Sequence, residues 1–271
     1  MSDIFLQEYN SKEAVLKYSK PTAGTGISYL LDHDYATIYL EALQKHLPES
    51  TRREGARVLE FGCGAGMNVI HMVSLVERSG IPLKEAFGTD FSETLIRTAN
   101  QEADRDLTPE RRAKVRFLWG RNEALIQDLA KGLNVPEASL EGKFDLIFGV
   151  NTIRYCHRLH KEQECAQGLS RLLRKGGVCV VIDMNQKFPL FRSRFKDTLT
   201  MKEEDYYLPD LDEYARPFEL AGFKLLTKKT FCWVPHSAGP LLAKVCKAMT
   251  PVLDGLFAQR AMRCLVVAQK A

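Results

Sequence analysis

The stretch Val58-Leu59-Glu60-Phe61-Gly62-Cys63-Gly64-Ala65-Gly66 narrows the folds open to this chain more than any other. Three apolar residues around an acid read as a buried strand, and the glycines after them read as a tight turn. Met67 to Val76 then carries apolar residues at helical spacing. A strand, a glycine turn and a helix in that order make the opening unit of a doubly wound α/β sheet. Because glycine has no Cβ, a ligand can lie close against such a turn. The helix behind it offers unpaired N–H groups to an incoming oxygen.

A second unit follows. Glu85 to Asp90 reads as a strand ending in an acid, with Ser92 placed to cap the next helix. An acid at the tip of the second strand is placed to accept hydrogen bonds from ribose hydroxyls. Gly62, Gly64 and Gly66 alternate, whereas a dinucleotide fingerprint needs its third glycine at position 67, which is Met. That spacing disfavours a nicotinamide cofactor. Strand patterns at about 57–61, 85–90, 114–119, 144–150 and 177–183 alternate with helical ones, which argues for a parallel sheet covered on both faces. Lys175-Gly176-Gly177 reads as a helix stop before the fifth strand. Phe223 to Trp233 and Arg263 to Gln269 read as two more strands, with a helical stretch, Pro240 to Phe257, broken near Pro251. Ahead of the first strand, Tyr35, Ile38, Tyr39, Ala42, Leu43 and Leu47 recur at helical spacing, and Pro48 ends that helix.

The pieces VLEFGCGAG at Val58 to Gly66, the strand-end Asp90, FDLIFGVN at Phe144 to Asn151 and LLRKGGVCVVID at Leu172 to Asp183 resemble, in order, the class I S-adenosylmethionine-dependent methyltransferases. The run Leu211 to Phe223 looks like that family's helix before its sixth strand. The resemblance implies a Rossmann-like three-layer α/β sandwich. Its seven-stranded, mostly parallel sheet would have order 3-2-1-4-5-7-6, with the last strand antiparallel. Residues 1–55 would form an N-terminal helical cap, and residues 56–271 the methyltransferase domain, with an acceptor-lid insertion at about 186–215.

The same resemblance assigns S-adenosylmethionine as cofactor. Gly62, Cys63 and Gly64 would lie against its methionine portion, Glu60 would orient the loop or meet the ammonium, and Asn151 would meet the methionine end. Asp90 would hold the ribose and Phe91 would pack on the adenine. Arg121 stands where the family often has an acid for the adenine amino group, so either Asn122 takes that contact or the adenine is held by backbone alone. After the fourth strand, His157 is a candidate general base with Tyr155 beside it, and Arg154 would shape the acceptor pocket. His157 and His160 lie three apart, so on one helix they would share a face; the competing reading is a surface helix start. Phe191 and Arg192 would cover the acceptor and meet an anionic group on it. The competing reading there is an amphipathic helix with its phenylalanines in the core.

Composition sets the remaining bounds. With 271 residues, 45% hydrophobic and 27% charged, the chain can bury one large core or two small ones. A net charge of +4 is mild for this length and gives no argument for nucleic acid binding, so the expected partner is a small-molecule acceptor and not nucleic acid. The absence of an Asn-Pro-Pro-Tyr-like turn after the fourth strand points the same way. Seven scattered cysteines without a C-x-x-C pair suggest reduced thiols, no metal site and a cytoplasmic protein. The expected reaction is methyl transfer to a small molecule at oxygen, by a monomer or homodimer. Two alternatives are methylation of a lipid-like acceptor at a membrane surface, suggested by the apolar 240–257 run, and a scaffold that keeps the cofactor pocket without turnover.

Overall fold

The computed structural model describes residues 29–189, 208–234 and 239–271. Seven strands form one sheet: β1 Ala56–Phe61, β2 Leu83–Asp90, β3 Val115–Trp119, β4 Phe144–Val150, β5 Leu173–Met184, β6 Phe223–Phe231 and β7 Arg263–Lys270. Their order is β3-β2-β1-β4-β5-β7-β6. The first five pair in parallel, and β7 runs antiparallel to both β5 and β6. The Rossmann-like architecture expected from the sequence is therefore present.

Alternating residues send the strands into two cores. Val58, Leu146, Phe148, Val178 and Val180 meet Val69, Met72 and Val73 of α3 (Met67–Arg78) on one face. Leu59, Phe61, Ile147, Cys179 and Val181 meet Leu125 and Leu129 of α6 (Leu125–Leu133) on the other, with Leu169 of α8 (Glu162–Leu172) and Phe218 of α9 (Leu211–Leu220). This two-sided burial is why β1 and β4 read as apolar runs instead of alternating ones. Ser92 caps α4 (Glu93–Asp106), its hydroxyl accepting from the Leu95 N–H. A short helix, α5 (Pro109–Arg112), precedes β3. The side chain of Asp210 caps α9 through a reciprocal box with Glu213.

Ahead of the sheet, α1 (His33–Glu41) continues into a π-helical turn, Ala42–His46. Leu47 is extended because Pro48 follows it, and α2 (Glu49–Glu54) leads into β1. Tyr39 and Leu43 from this segment are fully buried, and Tyr39 meets Phe148 edge-on at 5.3 Å.

Two sequence expectations change here. Lys175-Gly176-Gly177 does not stop a helix: α8 ends at Leu172, and the glycines form a bulge within β5. Phe144 pairs with Leu173 and Leu146 with Val178, so the extra residues of β5 are expelled around Gly176 at φ 75°. The helix α10 (Pro240–Phe257) passes through Pro251 without a break. Proline there removes one N–H donor, and the orphaned Lys247 carbonyl belongs to an exposed residue on a helix without buried positions, where water can satisfy it. Leu242, Val245, Met249, Val252 and Leu256 make an exposed apolar stripe along α10. No described helix is long and apolar enough to cross a membrane.

Candidate active site

The ends of β1, β2 and β4 meet at the change of strand order, where a doubly wound sheet opens a crevice. Gly62 and Gly64 at the β1 end have φ of 65° and 54°, in the left-handed region that side chains disfavour. They serve different ends. A Cβ on Gly62 would sit 2.9 Å from Thr152 Cβ, so this glycine lets the loop close against the start of α7 (Ile153–Arg158). A Cβ on Gly64 would meet no atom within 4 Å, which leaves open space for a ligand.

The loop is held down from β2. Cys63 N–H donates to the Thr89 carbonyl at 2.8 Å, and Gly64 N–H donates to Asp90 Oδ2 at 2.9 Å. These two amides are spent on the loop itself. Asp90 Oδ1 accepts the Ser92 N–H, and burial pushes the carboxyl up to about 6 against those two hydrogen bonds. Glu60 is also fully buried. Its Oε1 accepts from Asn68 Nδ2 at 2.7 Å, while Oε2 has no hydrogen-bond partner among the described residues. Burial raises its pKa well above the usual carboxylate range. Open space over Gly64 leaves room for a ligand, and a cationic group near Glu60 would bring its buried carboxyl back toward the ionised form.

Phe91 and Tyr155 both pack on Ala65 and Leu95, so the β2 and β4 ends converge over the loop. Trp119 Nε1 donates to the Phe91 carbonyl at 2.7 Å. Arg121 is tied to Asp128 on α6 by three hydrogen bonds, from its backbone N–H at 3.0 Å and from its guanidinium at 2.9 and 3.1 Å. Asn122 Nδ2 borders the Gly62 position at 3.7 Å. Asp128 was not legible as a site residue; an acid seven positions after an arginine is its only signal.

Asn151, at the β4 end, has a left-handed backbone at φ 59°. Its Nδ2 donates to the Tyr29 hydroxyl at 2.6 Å, and its Oδ1 accepts from Arg263, the first residue of β7. The Arg263 guanidinium lies 5.5 Å from the Tyr29 ring centroid and is 1% exposed. Next to it, Asp183 at the end of β5 is equally buried and accepts the backbone N–H groups of Arg154 and Met184. The Arg154 guanidinium donates to the Tyr155 hydroxyl at 2.8 Å. Arg263 and Asp183 escaped the sequence reading because each stands at the end of an apolar strand run that looked wholly structural.

The two histidines do not share a helix face. α7 ends at Arg158, and His160 beyond it is exposed at φ 52°. His157 is buried, with its ring edge-on to Tyr214 at 5.3 Å, and burial drives its pKa down to about 4. Phe191 and Arg192, like most of the expected 186–215 lid, lie outside the described residues. Among the described residues, no group of three or more His, Cys, Asp or Glu is placed to hold a metal ion.

Residues 52–230 match the family model described as a methyltransferase domain. The chain belongs to that family of methyltransferase domains. It is 27% identical over 157 residues to the citrinin polyketide synthases of Monascus ruber and Monascus purpureus. That match takes in 57% of this chain but only 5% of each synthase. Among solved structures, the [4+2]-cyclase SpnF superposes with a TM-score of 0.61 at 14% identity, covering 100% of this chain and 96% of the other. A Thermotoga maritima S-adenosylmethionine-dependent methyltransferase, described as a possible histamine N-methyltransferase, gives 0.56 at 18% identity, covering 98% and 99%. The citrinin polyketide synthase CMeT domain gives 0.56 at 20% identity, covering 88% and 52%.

Proposed function

We propose that this chain transfers a methyl group from S-adenosylmethionine to a small-molecule acceptor, at oxygen. The observation that carries the reading is the open space over Gly64, whose N–H is held by the Asp90 carboxylate at 2.9 Å. In this reading Asp90 accepts from the ribose hydroxyls and Glu60 faces the ammonium. Phe91 and Asn122 border the adenine, and the loop at Gly62, Cys63 and Gly64 with Asn151 flanks the methionine half. When bound, the cofactor supplies an electrophilic methyl carbon on a positively charged sulfur. The protein's own contribution is alignment and exclusion of water, which can lower a barrier by about 7–11 kcal/mol in favourable model systems.

Arg154 and Tyr155 form the acceptor side of the crevice, and their mutual hydrogen bond aims a phenol and a guanidinium at one place. His157, neutral and with a pKa near 4, is a weak base at neutral pH, so the polar work on the acceptor falls first to Tyr155. Residues 1–55 serve as cap and residues 186–215 as acceptor lid, with Phe191 and Arg192 within it. The place of action is the cytoplasm. Carbon is the competing acceptor atom, favoured by the likeness to a polyketide synthase.

The exposed stripe of α10 favours a second reading, methylation of a lipid-like acceptor at a membrane surface. One experiment separates these. Purified protein and methyl-labelled cofactor are incubated with a cell extract, which is then split into small-molecule, lipid, protein and nucleic acid fractions. Label in the small-molecule fraction supports the first reading, and label in lipid the second. Label in protein or nucleic acid refutes both.

A further inference from the structure

Arg263 stands first in β7, opposite Met184 of β5 and Phe231 of β6 in the register, with its guanidinium buried. Burying a guanidinium is expensive, and it is tolerated where the charge is spent on specific hydrogen bonds. Here one such bond goes to the carboxamide of Asn151, whose other end donates to Tyr29. Both ends of that side chain are therefore held, one from the segment before the sheet and one from the last strand. The residue so gripped has a left-handed backbone, and its N–H is fixed to the Ile182 carbonyl at 2.8 Å. Tyr29 is tied further to the crevice: its N–H donates to Asn68 Oδ1, and Asn68 donates to Glu60. A continuous chain thus runs Arg263–Asn151–Tyr29–Asn68–Glu60, from β7 around to the β1 end.

Strand order says which part of the cofactor this chain borders. A ligand held by its ribose at Asp90 on β2 extends across β1 toward β4, at about 4.8 Å per strand. The β4 end therefore meets the half opposite the adenosine. We propose that Arg263 is a positioning residue for the methionine half of the cofactor, acting through Asn151 and without touching the ligand. This inference rests on the cofactor assignment above and names a residue that the assignment does not include.

The test compares two ligands by calorimetry: S-adenosylhomocysteine, which carries the amino-acid half, and 5′-methylthioadenosine, which lacks it. Arg263→Gln removes the charge-assisted hydrogen bond and should weaken S-adenosylhomocysteine by about tenfold or more. Binding of 5′-methylthioadenosine should stay within about twofold of wild type, since its contacts are untouched. Arg263→Lys, which keeps a charged donor, should recover part of the loss. Tyr29→Phe removes only the hydroxyl that accepts from Asn151. It should give the same selective loss at smaller size, and it stands alone if Arg263→Gln does not fold. Equal weakening of both ligands, or no weakening of S-adenosylhomocysteine, overturns the proposal. Failure of the wild type to bind either ligand would instead sink the cofactor assignment on which it rests.

Discussion

Asp90 accepts the backbone N–H of Gly64 at 2.9 Å across 26 positions of sequence, so the proposed ribose acid also sets the bend of the glycine loop. Asp90→Ala should therefore cost more than a ribose contact. We expect S-adenosylhomocysteine affinity to fall by about a hundredfold, from two charge-assisted hydrogen bonds lost together. The protein should still unfold cooperatively, because the two cores lie beneath the loop. Calorimetric affinity within threefold of wild type would remove Asp90 from the site.

The pH dependence follows from the same carboxyl, which is raised from 3.8 to about 6 by burial. Between those values the folded state binds the extra proton, so this group's contribution to stability is greatest below 3.8. It declines as pH rises to about 6. Cofactor affinity moves the opposite way, because ribose hydroxyls need the ionised acceptor. Titrations from pH 7 down to pH 5 should show weakening binding, and Asp90→Asn should flatten that slope. An identical slope in the variant would assign the effect to another group.

Gly62 lets the loop close on Thr152. Gly62→Ala forces a methyl against the Thr152 side chain and strains a residue at φ 65°, for a cost of about 2–4 kcal/mol. Adding Thr152→Ser removes the crowding methyl and should return part of that loss, leaving the backbone strain. Urea denaturation of both variants measures the recovery; strict additivity would show that the two residues do not meet.

His157 is depressed from 6.5 to about 4, so its buried neutral ring contributes full stability above pH 6.5. That contribution is lost as pH falls from 6.5 toward 4. His157→Phe keeps an aromatic ring beside Tyr214 and has no proton to gain. Acid unfolding of the variant should therefore begin at lower pH than in wild type. Unchanged acid titration would mean that the ring already meets water.

The order of elements was legible because buried parallel strands leave apolar runs and glycine turns leave gaps between them. The bulge at Gly176 was not, because a glycine pair looks the same after a helix as inside a strand, and only pairing with β4 distinguishes them. Pro251 misled because the helix runs on through it, with the orphaned Lys247 carbonyl on an exposed helix where water can reach it. At the site, the loop and Asp90 could be read because few residue types fit those positions. Arg263 and Asn68 could not, since their partners Asn151 and Tyr29 lie 112 and 39 positions away, and neither could Asp183, which takes an N–H from Arg154 across 29 positions. Arg121 shows the reverse case: its local mismatch was visible, but its partner Asp128 was not.

The insertion of β7 between β5 and β6 sets an order of events during synthesis. Until residues 263–270 emerge, β6 has no neighbour to pair with and the β5 edge stays unpaired. The ribosome needs on the order of a few seconds to cover that interval. Meanwhile it adds the apolar stripe of α10, so the nascent chain shows an open sheet edge and a greasy helix together. Arg263 arrives with the strand that joins β5 to β6, so the crevice gains its β7 anchor only at the moment the β5 edge is covered.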